Sequence, residues 1–202
     1  MLRTLLVASF LVVSSVACSG NADETTPPGS PKPSVSARPS PTPSGSARPS
    51  RTPTVPSYLS QYTSDEREGY AAALADYREY RALEARFQRR ATAPHAARRF
   101  YQEYTADWVT FWAVRKQWAQ AGVRVLGMPE IVWNRPALIR LSDDGGGTVR
   151  IRMCLDATDV GVTQRGQDVA QNKTPTISTI SMTRLSEDKR WRFLAAKAGK
   201  RC

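Results

Sequence analysis

Two carboxylates, Asp156 and Asp159, and the chain's single histidine, His95, are the side chains best suited to proton transfer. A pocket acid or base is commonly an Asp or His held near an apolar substrate. The spacing of Asp156 and Asp159 offers a carboxylate pair. A turn of solvated Asp residues explains the same pair with fewer assumptions, because short polar side chains cluster in turns. His95 follows Pro94 in a turn, which makes it a surface residue rather than a general base. One histidine disfavours His-based metal sites and Ser-His or Cys-His catalysis. No nucleophile elbow, P-loop, dinucleotide fingerprint or zinc motif occurs. The sequence therefore implies no catalytic residue, no cofactor and no metal.

Binding is the other chemistry on offer. Tyr77, Trp108, Trp112, Trp133 and Trp191 could line a pocket mouth, and with Asp156 they form the candidate pocket lining. Their helical and strand spacing equally suits core positions. Arg89, Arg90, Arg98 and Arg99 flank one helix–helix turn. They form a candidate patch for anionic lipid headgroups or wall polymers. A solvated loop is the plainer account.

The N-terminus carries an address. Arg3 precedes an apolar run of nine residues, Leu5 to Val13. A membrane span needs about 20, so the run has the form of a secretory signal, 1–17. Ser15-Val16-Ala17-Cys18 resembles a bacterial lipobox, although Leu is favoured where Ser15 stands. The resemblance implies removal of 1–17 and lipid on Cys18, an anchor to the membrane. Ordinary secretion with cleavage at the same bond is the alternative.

Residues 18–57 read as a spacer. Ten of the 14 prolines fall here, and no aromatic residue lies between Phe10 and Tyr58. Such a segment has no apolar surface to offset its ordering entropy and is expected to be disordered. A direct repeat, SVSARPSPTP then SGSARPSRTP, is low complexity rather than a solenoid. Its reach is roughly 35 Å as a coil and about 120 Å as extended polyproline II.

The rest, 58–202, is long enough for one core. Thr63 to Glu66 forms a capping box. Tyr70, Leu74, Tyr77, Tyr80, Leu83 and Phe87 then recur at helical steps, ending near Arg90. Pro94 opens a second helix, with Ala97, Phe100, Tyr101 and Tyr104. A third spans Thr105 to Ala121, with Trp108, Phe111, Trp112 and Trp118 on adjoining turns and Gly122 as its C-cap. After Gly122 the period becomes two. Val123 to Trp133 is a strand pair or one bent strand, interrupted near Gly127–Pro129. Ala137–Leu141 and Thr148–Leu155 follow, joined by the turn Asp143–Gly147. Thr176–Leu185 and Arg190–Ala195 form a last hairpin. Helices first and strands after imply an α+β fold, three N-terminal helices packed on a curved antiparallel sheet.

Two cysteines remain once Cys18 is assigned. An exported domain most simply pairs Cys154 with Cys202. Two buried free thiols are the alternative. The chain carries Tyr77-x-x-Tyr80, Gln120-Ala121-Gly122-Val123-Arg124, Cys154-x-Asp156-x-Thr158, and the Trp191 strand followed by Cys202. By these pieces, 58–202 resembles exported actinobacterial proteins with a nuclear transport factor two-like cone. The resemblance implies a conical α+β domain and a Cys154–Cys202 bridge. The same cone hosts SnoaL-like cyclases, isomerases and dehydratases.

The net charge of +11 first suggests nucleic acid. Export directs it instead to an anionic envelope, although solubility is a sufficient explanation. The expected protein is a lipid-anchored module on the outer face of the cytoplasmic membrane. It would bind a ligand, an envelope protein or an anionic polymer, and no nucleic acid. A SnoaL-like enzyme using pocket carboxylates is the alternative.

Overall fold

A computed structural model describes residues 55–171 and 173–202, within the compact unit Arg51–Cys202. The signal 1–17, Cys18 and nearly all of the spacer lie outside the described residues.

Helix α1, Ser64–Gln88, begins at the expected cap. Thr63 Oγ1 accepts from Glu66 N at 3.2 Å, and Glu66 Oε2 accepts from Thr63 N at 2.9 Å. The exchange satisfies two amide donors at the helix start that would otherwise lack partners. Its buried stripe, including Tyr70, Leu74, Tyr77 and Tyr80, keeps the helical period. Helix α2, His95–Tyr104, starts directly after Pro94. Helix α3, Trp108–Gln120, begins three residues later than Thr105. Asp107 caps it by accepting from Thr110 N at 3.3 Å. Thr105 and Ala106 are instead drawn into β pairing: Ala106 N donates to Phe193 O at 2.9 Å.

The strands are β1 (Val123–Leu126), β2 (Glu130–Leu141), β3 (Gly147–Asp156), β4 (Gly161–Gln164), β5 (Gln167–Asp168), β6 (Thr176–Arg184) and β7 (Arg192–Arg201). They form two antiparallel sheets, β2-β3-β6-β7 and β1-β4-β5, where the sequence led us to expect one. The break at Gly127 separates the sheets rather than bending one strand. Gly127 has φ 93°, and a Cβ there would lie 2.8 Å from Asp159 O, so the turn requires glycine. Downstream, β2 runs unbroken through Pro136. It can do so because β2 is an edge strand, and Pro136 sits beside a register shift where a missing N–H is tolerated.

The α+β class is as expected, with α1 packed on β2, β3 and β7. The core lies between the helices and one face of the larger sheet. Val149, Ile151 and Met153 on β3 are 0% exposed, and Ile180 and Met182 on β6 join them. Against them stands a layer of rings. Tyr80 and Phe193 have centroids 4.8 Å apart, Phe100 and Tyr104 5.0 Å. Such pairs add about 0.5–1.5 kcal/mol each beyond burial. Cys154 and Cys202 form a disulfide, with sulfurs 2.08 Å apart. The bridge ties the end of β7 back to the middle of the sheet.

Candidate functional site

The candidate pocket lining is dispersed rather than assembled. Tyr77 is buried under the helices, on the inner side of the sheet. Trp191 is 1% exposed, and its backbone N–H donates to Asp76 Oδ2 at 2.8 Å. Trp108 and Trp112 are half-buried along α3, at the margin of the core. Trp133 lies on the opposite side. It pairs with Cys154, while its neighbour Asn134 accepts from Tyr70 on α1 at 2.6 Å. Successive strand residues face opposite ways, so Trp133 points away from the helices. One pocket cannot hold Tyr77 and Trp133 together.

The carboxylates behave as turn residues. Asp156 Oδ1 accepts from Thr158 N at 2.9 Å and from Thr158 Oγ1 at 2.6 Å. Those bonds hold its carboxyl below the usual Asp range. Asp159 and His95 are exposed. Two open surface clefts are present elsewhere. One, of about 430 Å³, is bordered by Arg78, Arg81 and the segment Met128–Ile131. Arg81 is already committed there: it donates to Pro129 O and lies 5.8 Å from the Tyr77 ring centroid. The other, of about 360 Å³, lies along the β4–β5 hairpin.

An interior polar group escaped the sequence analysis. Arg115 is 1% exposed and is the one buried residue of α3. Its Nη2 is aimed at the carbonyls of Phe87 (2.6 Å), Thr92 (2.7 Å) and Arg90, where α1 ends. Beside it, Tyr101 donates to Glu84 Oε1 at 3.4 Å. Burial raises the Glu84 carboxyl above its usual range, against the pull of Tyr80, Tyr101, Arg115 and Arg81. The group is a helix staple closed off by packing. Its signal was present: position 115 continues the 108, 111, 112, 118 stripe, with an arginine where an apolar residue is expected.

The outer face of the larger sheet is the most chemically coherent surface. Its register aligns residues from all four strands into rows. One row reads Arg135, Arg152, Thr179, Lys197. The next reads Leu138, Arg150, Ser181, Ala195. The third reads Arg140, Thr148, Thr183, Arg192. Arg135, Arg140, Arg150, Arg152 and Lys197 are exposed. Among the described residues, none of these five has a carboxylate oxygen within 4.0 Å. Arg192 differs, being paired with Asp188 at 2.5 Å. Arg135 lies over Tyr58 and Trp133, 5.7 and 5.9 Å from their centroids, which positions its charge without neutralising it. The Arg150/Arg152 alternation is visible in sequence; its continuation onto β2 and β7 depends on register, which sequence does not display. The expected patch at the α1–α2 turn is also exposed, with Arg98 held 5.4 Å from the Trp108 centroid.

No family model and no curated protein matches this chain. Among solved structures, a similar chain is the intermembrane space region of the chloroplast protein ARC6. It is 10% identical, with a TM-score of 0.45, over 65% of this chain and 96% of that one. A likeness at that level does not extend to function. Among the described residues, no group of three His, Cys, Asp or Glu is placed to hold a metal ion. None of their helices is long and apolar enough to cross a membrane.

Proposed function

We propose that this chain is an exported lipoprotein: a signal at 1–17, lipid on Cys18, a spacer, and a nuclear transport factor two-like domain that acts as a binding module. It would sit on the outer face of the cytoplasmic membrane. The observation that carries this reading is the Cys154–Cys202 bridge. Structural disulfides persist in oxidising compartments and are rare in reducing ones. The bridge also uses two of the three cysteines, leaving Cys18, which directly follows the small residue Ala17, for acylation.

Binding is favoured over catalysis by how the two sides of the sheet are used. The inner side is filled by rings and aliphatic side chains, and Asp156 is engaged by Thr158. The outer side is open and charged. Detergent phase separation with intact mass tests the anchor. Native protein should enter the detergent phase, begin at Cys18 and carry acyl mass. Cys18→Ala should stay in the aqueous phase. Native protein in the aqueous phase with unmodified Cys18 sinks the proposal.

A further inference from the structure

We infer that the outer face of β2-β3-β6-β7 is a docking surface for a linear phosphate-bearing polymer that carries no nucleobases. The inference deepens the binding-module reading and rests on it only for the compartment in which such a polymer is met.

Five exposed cations, Arg135, Arg140, Arg150, Arg152 and Lys197, share this face without a carboxylate neighbour among the described residues. Four are arginines, whose planar fork matches phosphate oxygens with paired donors. Strand spacing places the Arg135 and Arg152 backbones about 4.8 Å apart across the sheet, Lys197 two strands beyond Arg152, and Arg150 and Arg152 about 6.8 Å apart along β3. A single phosphate engages one or two of them. A chain of phosphates engages several at once, so each further contact is intramolecular.

The residues between the cations add a second indication. Thr148, Thr179 and Ser181 fall in the same rows as the cations, which adds hydroxyl groups to the charged face; the Thr183 hydroxyl instead donates to Gly147 O at 3.2 Å. Leu138 is the one large apolar residue in the three rows, and Trp133, in the next row of the same face, lies under the Arg135 guanidinium. A face built to enter a bilayer would carry aromatic and aliphatic side chains there. Residues 18–57 are themselves net positive, with four Lys or Arg against two acids, so their charge does not complement this face.

The test uses purified full chain in neutral detergent and fluorescent linear inorganic polyphosphate. Arg150→Gln/Arg152→Gln should weaken binding about tenfold at physiological salt and flatten the salt dependence by one to two contacts. Its melting temperature should not change. Lys116→Gln/Arg124→Gln removes the same charge away from this face and should bind as the parent does. The inference is overturned if that control loses as much. It is equally overturned if Arg89→Gln/Arg90→Gln accounts for the loss, or if phosphatidylglycerol vesicles or single-stranded DNA bind more tightly than polyphosphate. Failure of the anchor would show in the detergent partition of the native chain and leave polyphosphate binding intact, so the two failures are distinguishable.

Discussion

Strand β3 has two faces that share a backbone and nothing else. Val149, Ile151 and Met153 look inward and are 0% exposed. Arg150 and Arg152 look outward and are exposed. The inward residues meet a layer of tyrosine and phenylalanine rings; the outward ones meet water. Core packing and exposed charge are thereby separated by a single residue step. A change on one face should hardly register on the other.

The exception is the bridge. Cys154 belongs by alternation to the outer face, yet it is 2% exposed because Cys202 folds back over it. The bridge closes a loop with a sequence separation of 48. In the chain-entropy model a loop of that size contributes about 4 kcal/mol. Cys154→Ser/Cys202→Ser should therefore lower unfolding free energy by about that amount in chemical denaturation. A loss below about 1 kcal/mol would show that the outer face contributes nothing to stability, even through its one crosslink.

The comparison itself is tested on adjacent positions. Ile151→Ala should cost about 2–5 kcal/mol, through lost transfer energy and the cavity left behind. Arg150→Ala should stay within about 0.5 kcal/mol, as surface changes usually do. Comparable losses for the two would break the separation of faces. On the helical side, Thr63→Ala removes the side-chain acceptor for Glu66 N and should cost about 1 kcal/mol. An unchanged midpoint would mean that the start of α1 frays without consequence.

The elements of this fold were largely legible in the sequence, because caps and periodicity are local. Thr63–Glu66, Pro94 and the Asp143–Gly147 turn each act within a few residues of themselves. What the sequence withheld depends on distant partners. The hairpin of β4 and β5 is short, and its turn uses Arg165 at φ 52°, an uncommon conformation for a non-glycine residue. The sequence Ala195–Lys200 has little strand preference. It is strand because β6 pairs with it and the bridge fixes its end. The candidate pocket failed for a related reason: aromatic spacing identifies buried positions but not which side of a sheet they bury. The basic outer face needed the register of four strands before its rows could be seen.

Glu84 gives the smallest expected effect and concerns the inner side, where charge is least welcome. Tyr80, Tyr101, Arg115 and Arg81 all favour its ionised form, and burial opposes them more strongly, so its folded pKa is raised. A carboxyl that holds its proton more tightly when folded is most favourable at low pH. Its contribution is lost as pH rises from the ordinary glutamate value of about 4.3 through the folded one, and is level beyond that. Glu84→Gln keeps an acceptor for Tyr101 and removes the titration. The melting temperature of the variant relative to the parent should therefore rise between pH 4 and pH 7. A relative melting temperature that falls over the same range would mean that the neighbouring arginines outweigh burial. The staple would then be an ion-pair network rather than a group of buried hydrogen bonds.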